Sequence, residues 1–276
     1  MQNKLIKVAI SPCPNDTYIF GAWIQGFIEN PKLTKAEFSY MDIQELNERS
    51  ILGEFDVIKI SAVMLPSVYK QYQILNCGGA AGYDCGPLLV GKKPIQLKDL
   101  PNLKILLPGK NTTASFLFQY LFPDCKNFEH CIFSEIEDKL TDGGYDAGVI
   151  IHETRFSYQA KGLFEIVDLG KLWFKESSLP IPLGLIAIKR NLEVSLRKEI
   201  QGQVQKSLEW ANTHLTELLP FIQSKANELD LKVILKHIDL YVNHFTKEIG
   251  PEGKKAIFRL IDPENQIFSN EDDIFN

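Results

Sequence analysis

The sequence predicts an α/β protein built as two lobes, with a cleft between them and a helical C-terminal part. Three observations carry that reading. Short apolar, strand-like runs alternate with helix-like runs over the first 190 or so residues, the pattern of α/β architectures with mostly parallel sheets. The composition changes at residues 91–101, where "GKKPIQLKDLP" gathers prolines and lysines into a crossing, and the chain returns near residue 185. From Leu192 onward the apolar residues recur at helical spacing, through Trp210, Leu218, Ile234, Tyr241 and Phe258. The expected division is residues 1–91 with 186–276 in one lobe and 92–185 in the other.

Taken in order, residues 4–11 (KLIKVAIS) predict a buried strand, followed by Asn15 or Asp16 as N-cap of a helix running to about Glu29. "AEFSYM" (36–41) alternates as a strand does. Asp42 can cap the next helix, "IQELNERSIL", which Gly53 ends. "DVIKI" (56–60) is a third strand, and Ser61 opens a short helical turn toward Tyr69. "YQILNC" (72–77) and "GPLLVG" (86–91) bracket a glycine-rich loop. Beyond the crossing, "LKILLPG" (103–109) predicts a strand and "TTASFLFQYLF" (112–122) a helix. "HCIFS" (130–134) and "YDAGVII" (145–151) are strands around the helix "EIEDKLTDG", and "SLPIPLGLIAIKR" (178–190) is the returning strand. There is no short internal repeat and no low-complexity tract.

Composition narrows the function classes. A chain of 276 residues that is 45% apolar can bury a sizeable core. Its formal net charge of −5 is spread without blocks of like charge, so neither nucleic acid nor a membrane surface is an expected partner. No apolar run approaches the roughly 20 residues of a membrane helix. The apolar patch before Pro12 is too short for an export signal, so a cytoplasmic location is expected. Cys13, Cys77, Cys85, Cys125 and Cys131 form no C-x-x-C pair, which supports neither a zinc site nor a disulfide framework. They are read as reduced thiols.

Four polar segments fall at the carboxyl ends of predicted strands: "SPCPND" after the first, Ser61 after the third, "GKNTT" after Leu107, and His152 after Ile151. In open α/β sheets the ligand crevice lies at those ends, where helix N-termini present N–H groups to an anion. Each segment also has a structural reading. The prolines with Asn15 and Asp16 make a stiff turn and cap, and Ser61 can simply cap its turn. "PGKNTT" lacks the spacing of a P-loop, yet Thr112 and Thr113 can hold an anion beside helix amides. "HETRF" is not the H-E-x-x-H zinc motif, because Phe156 stands where the second histidine would. His152 therefore reads either as a general base or as a hydrogen-bonded cap. His214, His237 and His244 are expected on solvated helix faces, and His130 lies far from the strand ends that matter. Trp173 and Phe174 can line an aromatic cleft or fill the core between lobes.

The segments "SPCPNDTYIF", "DVIKISAVMLP", "PGKNTTASFL", "AGVIIHETRFSY" and "DLGKLWFKESSLPIPLG", in that order across residues 8–190, resemble the 1,4-dihydroxy-6-naphthoate synthase family. The tail "YVNHFTKEIGPEGKKAI" is similar to the family's ending. Tyr18 departs from it, standing where the family tends to carry Phe. The resemblance implies a periplasmic-binding-protein-like fold of the second type, acting as a lyase of the futalosine route to menaquinone. It implies cyclic dehypoxanthinylfutalosine, a small carboxylate, as substrate, with no cofactor and no metal. By the same resemblance His152 matches the proposed base. Ser61, Thr112 and Thr113 match substrate-holding positions, with Asn15 and Asp16 lining the same cleft. Cys13 receives no role. The alternatives are a solute-binding protein of the same fold and chorismate dehydratase, whose N-terminal signature differs from "SPCPNDT". The oligomeric state stays open between monomer and homodimer.

Overall fold

The computed structural model describes residues 5–29, 35–226, 230–264, 266–268 and 274–275. Residue 4, the expected start of the first strand, lies outside them.

Strand β1 (Ile6–Ile10) leads into helix α1 (Pro14–Ile24). Strand β2 (Ala36–Tyr40) follows, then α2 (Ile43–Leu52), β3 (Val57–Ser61), α3 (Leu65–Val68) and β4 (Tyr72–Ile74). Helix α1 begins two or three residues earlier than the expected cap at Asn15 or Asp16 implied. Cys13 takes the N-cap position and Pro14 the first helical one, where a missing N–H costs nothing. Asp42 caps α2 as expected, accepting from Gln44 N at 2.7 Å, and Gly53 ends that helix at φ +65°. The glycine-rich loop holds an unforeseen short strand, β5 (Ala80–Gly82), before β6 (Leu88–Gly91) and β7 (Ile105–Pro108).

Helix α4 (Thr113–Leu121) precedes β8 (Phe128–Cys131), α5 (Ile136–Asp142) and β9 (Ala147–Ile150). Strand β10 (Phe164–Asp168) and helix α6 (Leu169–Ser177) were not foreseen. Asp168 fixes their junction by accepting from Gly170 N at 2.9 Å and Lys171 N at 3.2 Å. The returning strand is β11 (Ile181–Lys189). The helical C-terminal part is α7 (Val194–Thr213), α8 (Leu215–Lys225), α9 (Leu231–Tyr241), α10 (His244–Lys247) and α11 (Gly250–Ile261).

Two sheets result. The first runs β2-β1-β3-β11-β4, with β5 also paired to β11, and the second runs β10-β6-β9-β7-β8. The expectation of mostly parallel sheets needs correction. β1 lies parallel to β2 and β3, and β7 to β8 and β9. Every pairing of β11 and of β6 is antiparallel. These are the strands that enter each sheet from the other lobe, so no crossover helix sets their direction. Strand β6 lies in the second sheet, so the chain changes sheets between Gly82 and Leu88, ahead of the lysine-rich segment. It returns between Asp168 and Ile181.

The largest apolar cluster passes from Leu46, Ile58 and Ile60 to Leu107, Phe118 and Trp173, tying the sheets together. Trp173 is fully buried and donates to Pro180 O at 3.0 Å, whereas Phe174 is exposed against Tyr83. Of the two readings for that aromatic pair, Trp173 takes the core. Where the chain first crosses, Gly86 and Gly170 meet backbone to backbone. A Cβ on Gly86 would fall 2.3 Å from Gly170 Cα. Arg155 holds the same crossing by donating to Gly86 O, to Asp84 O at 3.0 Å and to Asp168 at 2.7 Å.

Candidate functional site

A cavity opens between the sheets at the carboxyl ends of β1, β3, β7 and β9. Ser11 and Asn15 border it from the β1–α1 turn, and Lys59 and Ser61 from β3. Thr112, Thr113 and Ala114 border it from the start of α4, and His152 from the turn after β9. Cys85, Gly184 and Tyr241 complete much of the wall. Five of the six expected site residues (Asn15, Ser61, Thr112, Thr113 and His152) therefore meet at one surface. Asp16 does not line it.

Asp16 lies wholly buried beneath the β1–α1 turn. Its carboxylate accepts from Ser11 N at 3.1 Å, Ser11 Oγ at 2.7 Å and Asn15 Nδ2 at 3.0 Å, and pairs with Lys59. With so many donors its charge is satisfied internally, so it shapes the wall from behind. Asn15 is oriented in turn. Because its amide nitrogen donates to Asp16, its Oδ1 faces His237 Nε2 at 3.0 Å. His237 thus carries its proton on Nε2, while its buried Nδ1 has no hydrogen-bond partner among the described residues. This overturns the expectation of a solvated His237, which is fully buried. It shares a face of α9 with Ile234, Ile238 and Tyr241, a helical spacing visible in the sequence.

Ser61 accepts from Asn47 Nδ2 at 2.9 Å and donates its backbone N–H to Asn47 Oδ1 at 2.8 Å. Asn47 Nδ2 also donates to Asn111 O at 2.8 Å, on the loop that leads into α4. Ser61 itself makes no side-chain cap bond to its turn. Thr112 is the N-cap of α4, accepting from Ser115 N at 3.2 Å. Thr113 Oγ1 donates to Leu183 O at 3.0 Å, across from the second sheet to β11. The N-terminal turn of α4 thus borders the cavity with its partial positive charge.

His152 sits at φ +57°, a left-handed backbone that few side chains adopt at no cost. Its ring lies between Phe133, at 4.8 Å, and His237, nearly parallel at 6.2 Å. The residue is half-buried at the cavity wall. Burial therefore lowers its pKa from 6.5 to about 4, with the Asp16 charge opposing and Lys59 adding to the fall. The imidazole is neutral at neutral pH. Its Nδ1 lies 3.6 Å from Cys13 Sγ, in the first lobe.

Sequence reasoning missed Lys59, Cys85, His237 and Tyr241. Lys59 was signalled by a lone lysine inside the apolar run "DVIKI"; the strand that forms there, Val57–Ser61, is buried throughout. Tyr241 is deeply buried and its phenol is raised by desolvation, so it stays protonated.

The sequence family described as menaquinone biosynthesis matches residues 6–263. The chain belongs to that family. A 1,4-dihydroxy-6-naphthoate synthase of Thermus thermophilus is 36% identical over 257 residues, 93% of this chain and 93% of the relative. One of Streptomyces coelicolor is 35% identical over 266 residues, 95% of this chain and 93% of the relative. The periplasmic aliphatic sulphonate binding protein of Escherichia coli shares the fold at a TM-score of 0.66, with 9% identity, covering 97% of this chain and 89% of that one. The fold is periplasmic-binding-protein-like, as the resemblance implied. In this menaquinone-family chain, no helix among the described residues is long and apolar enough to cross a membrane.

Proposed function

We propose that this protein is a lyase of menaquinone biosynthesis that converts cyclic dehypoxanthinylfutalosine to 1,4-dihydroxy-6-naphthoate, with His152 as the general base. The observation that carries the reading is a histidine at the cleft wall, in a chain 36% identical to a 1,4-dihydroxy-6-naphthoate synthase along nearly its whole length.

The chemistry follows from the wall. The substrate carboxylate is held at the N-terminal turn of α4, where the helix dipole and first-turn amides favour an anion. Ser61, whose oxygen already accepts from Asn47, turns its own hydrogen toward the ligand. His152 removes a proton from carbon, and the electron pair left behind expels the sugar-derived fragment as the ring aromatises. Asp16 supports this from behind and Asn15 from the wall itself: Asp16 fixes Asn15, and Asn15 fixes the tautomer of His237 against the His152 ring. The phenol of Tyr241, kept protonated, supplies a donor at the cavity wall beside His237.

The test is an assay for 1,4-dihydroxy-6-naphthoate by ultraviolet absorbance or mass spectrometry, with purified protein and the cyclic substrate. His152→Asn is the informative variant, since asparagine tolerates the left-handed backbone and cannot act as a base. Turnover should fall by about 10²–10⁴-fold with the fold retained. Wild-type turnover in that variant would remove His152 from the role. Ligand binding without product from the native protein would replace the lyase by a binding protein.

A further inference from the structure

We infer that Cys13, His152 and Glu153 form a binding site for a thiophilic divalent cation of the zinc class, and that its occupation switches the cleft off. One ligand atom from each of the three residues lies within 4.8 Å of the others. Cys13 and Glu153 are buried, and His152 opens onto the cavity. The separation of Cys13 Sγ from His152 Nδ1 is 3.6 Å, so the thiol and the imidazole already face each other within hydrogen-bonding distance. It matches the ligand-to-ligand edge of a tetrahedral zinc site, about 3.6 Å for Zn–S near 2.3 Å and Zn–N near 2.05 Å.

The donor set fits the same class of ion. Thiolate, imidazole and carboxylate together are a zinc-type set, and three protein ligands leave a fourth position for water or substrate from the cavity. A Cys13 thiolate and the Glu153 carboxylate would balance the two positive charges. Lys59, the cation that also acts on Cys13, is neutralised by its ion pair with Asp16. On binding, the thiol proton leaves to solvent and sulfur and Nδ1 each give a lone pair to the metal. The imidazole then keeps its remaining proton on Nε2 and has no free lone pair, so it cannot serve as a base. Because Cys13 follows β1 and His152 follows β9, the bound ion also fastens one lobe to the other. The ligands are 139 residues apart in sequence, which is why spacing rules for zinc motifs pass over them.

The experiment uses metal-stripped full-length protein titrated with Co²⁺ and then Zn²⁺, with no substrate present. One equivalent of Co²⁺ should give a near-ultraviolet thiolate-to-cobalt band and tetrahedral visible bands, both displaced by Zn²⁺. Cys13→Ser should lose the thiolate band and bind Zn²⁺ at least about 10-fold more weakly. Glu153→Gln should keep the band and also lose affinity. If Cys13→Ser does not fold, Glu153→Gln carries the test, and unchanged affinity there overturns the site. Absence of the band, or a band that survives in Cys13→Ser and so belongs to another thiol, overturns it as well. None of these readouts depends on turnover, so they stand apart from the lyase assay.

Discussion

Lys59 on β3 and Asp16 in the first turn of α1 form an ion pair buried from solvent, with side-chain exposures of 6% and 0%. Lys59 lines the cavity and Asp16 stands behind its wall, where it also receives Ser11 and Asn15. Removing one partner strands the other charge in a low-dielectric setting. Asp16→Asn should therefore cost about 3–5 kcal/mol of stability, read from urea or guanidinium unfolding. A loss below about 1 kcal/mol would show that water reaches Lys59 in the variant.

The low pKa of His152 has a sign that can be measured. Its value falls from 6.5 to about 4 on folding, so between those pH values the unfolded chain binds more protons than the folded one. Stability is complete above about pH 6.5 and declines as pH falls toward 4. Activity should follow the folded-state value. kcat/KM is expected to stay level through pH 6.5 and drop only on approach to pH 4. An acid limb centred near 6.5, with circular dichroism unchanged, would place a different group in the role.

Asn47 joins Ser61 to the loop before α4 through bonds of 2.8–2.9 Å. Asn47→Ala leaves a buried N–H and a carbonyl to find new partners, at about 1–3 kcal/mol. Since the reacting ring is untouched, KM should rise more than kcat falls. A pure kcat defect in steady-state kinetics would contradict the assignment of Ser61 to substrate holding.

Gly86→Ala tests the crossing between the sheets. The new methyl would meet the Gly170 backbone at 2.3–2.4 Å, and neither the loop before β6 nor the β10–α6 junction can yield easily with Arg155 and Asp168 pinned there. A loss of about 1–3 kcal/mol or more is expected from the thermal midpoint. An unchanged midpoint would mean that the crossing is loose in solution.

Legibility in the sequence followed sequence distance. The turn at Pro12–Asp16, the cap at Asp42 and the N-terminus at Thr112 are local devices, and the chain wrote them plainly. Five of the six expected site residues line one cavity because strand ends in α/β folds converge. Asp16 was misplaced because nothing local reveals that Lys59, 43 residues later, turns inward to meet it. His237 was misjudged for the same reason: its partner, Asn15, stands 222 residues away. Strand β10 was overlooked because its residues are largely exposed or half-buried, which blurs the alternation that identifies an edge strand.

The pairing of β11 with β3, β4 and β5 has a consequence for biosynthesis. All five strands of the second sheet lie between Leu88 and Asp168, whereas the first sheet needs residues from Ile6 to Lys189. On the ribosome the second lobe can close as soon as its own segment has emerged. The three leading strands must wait, with one edge of β3 open, until the return strand arrives to seal it. The lobe that starts the chain is the one that finishes folding last.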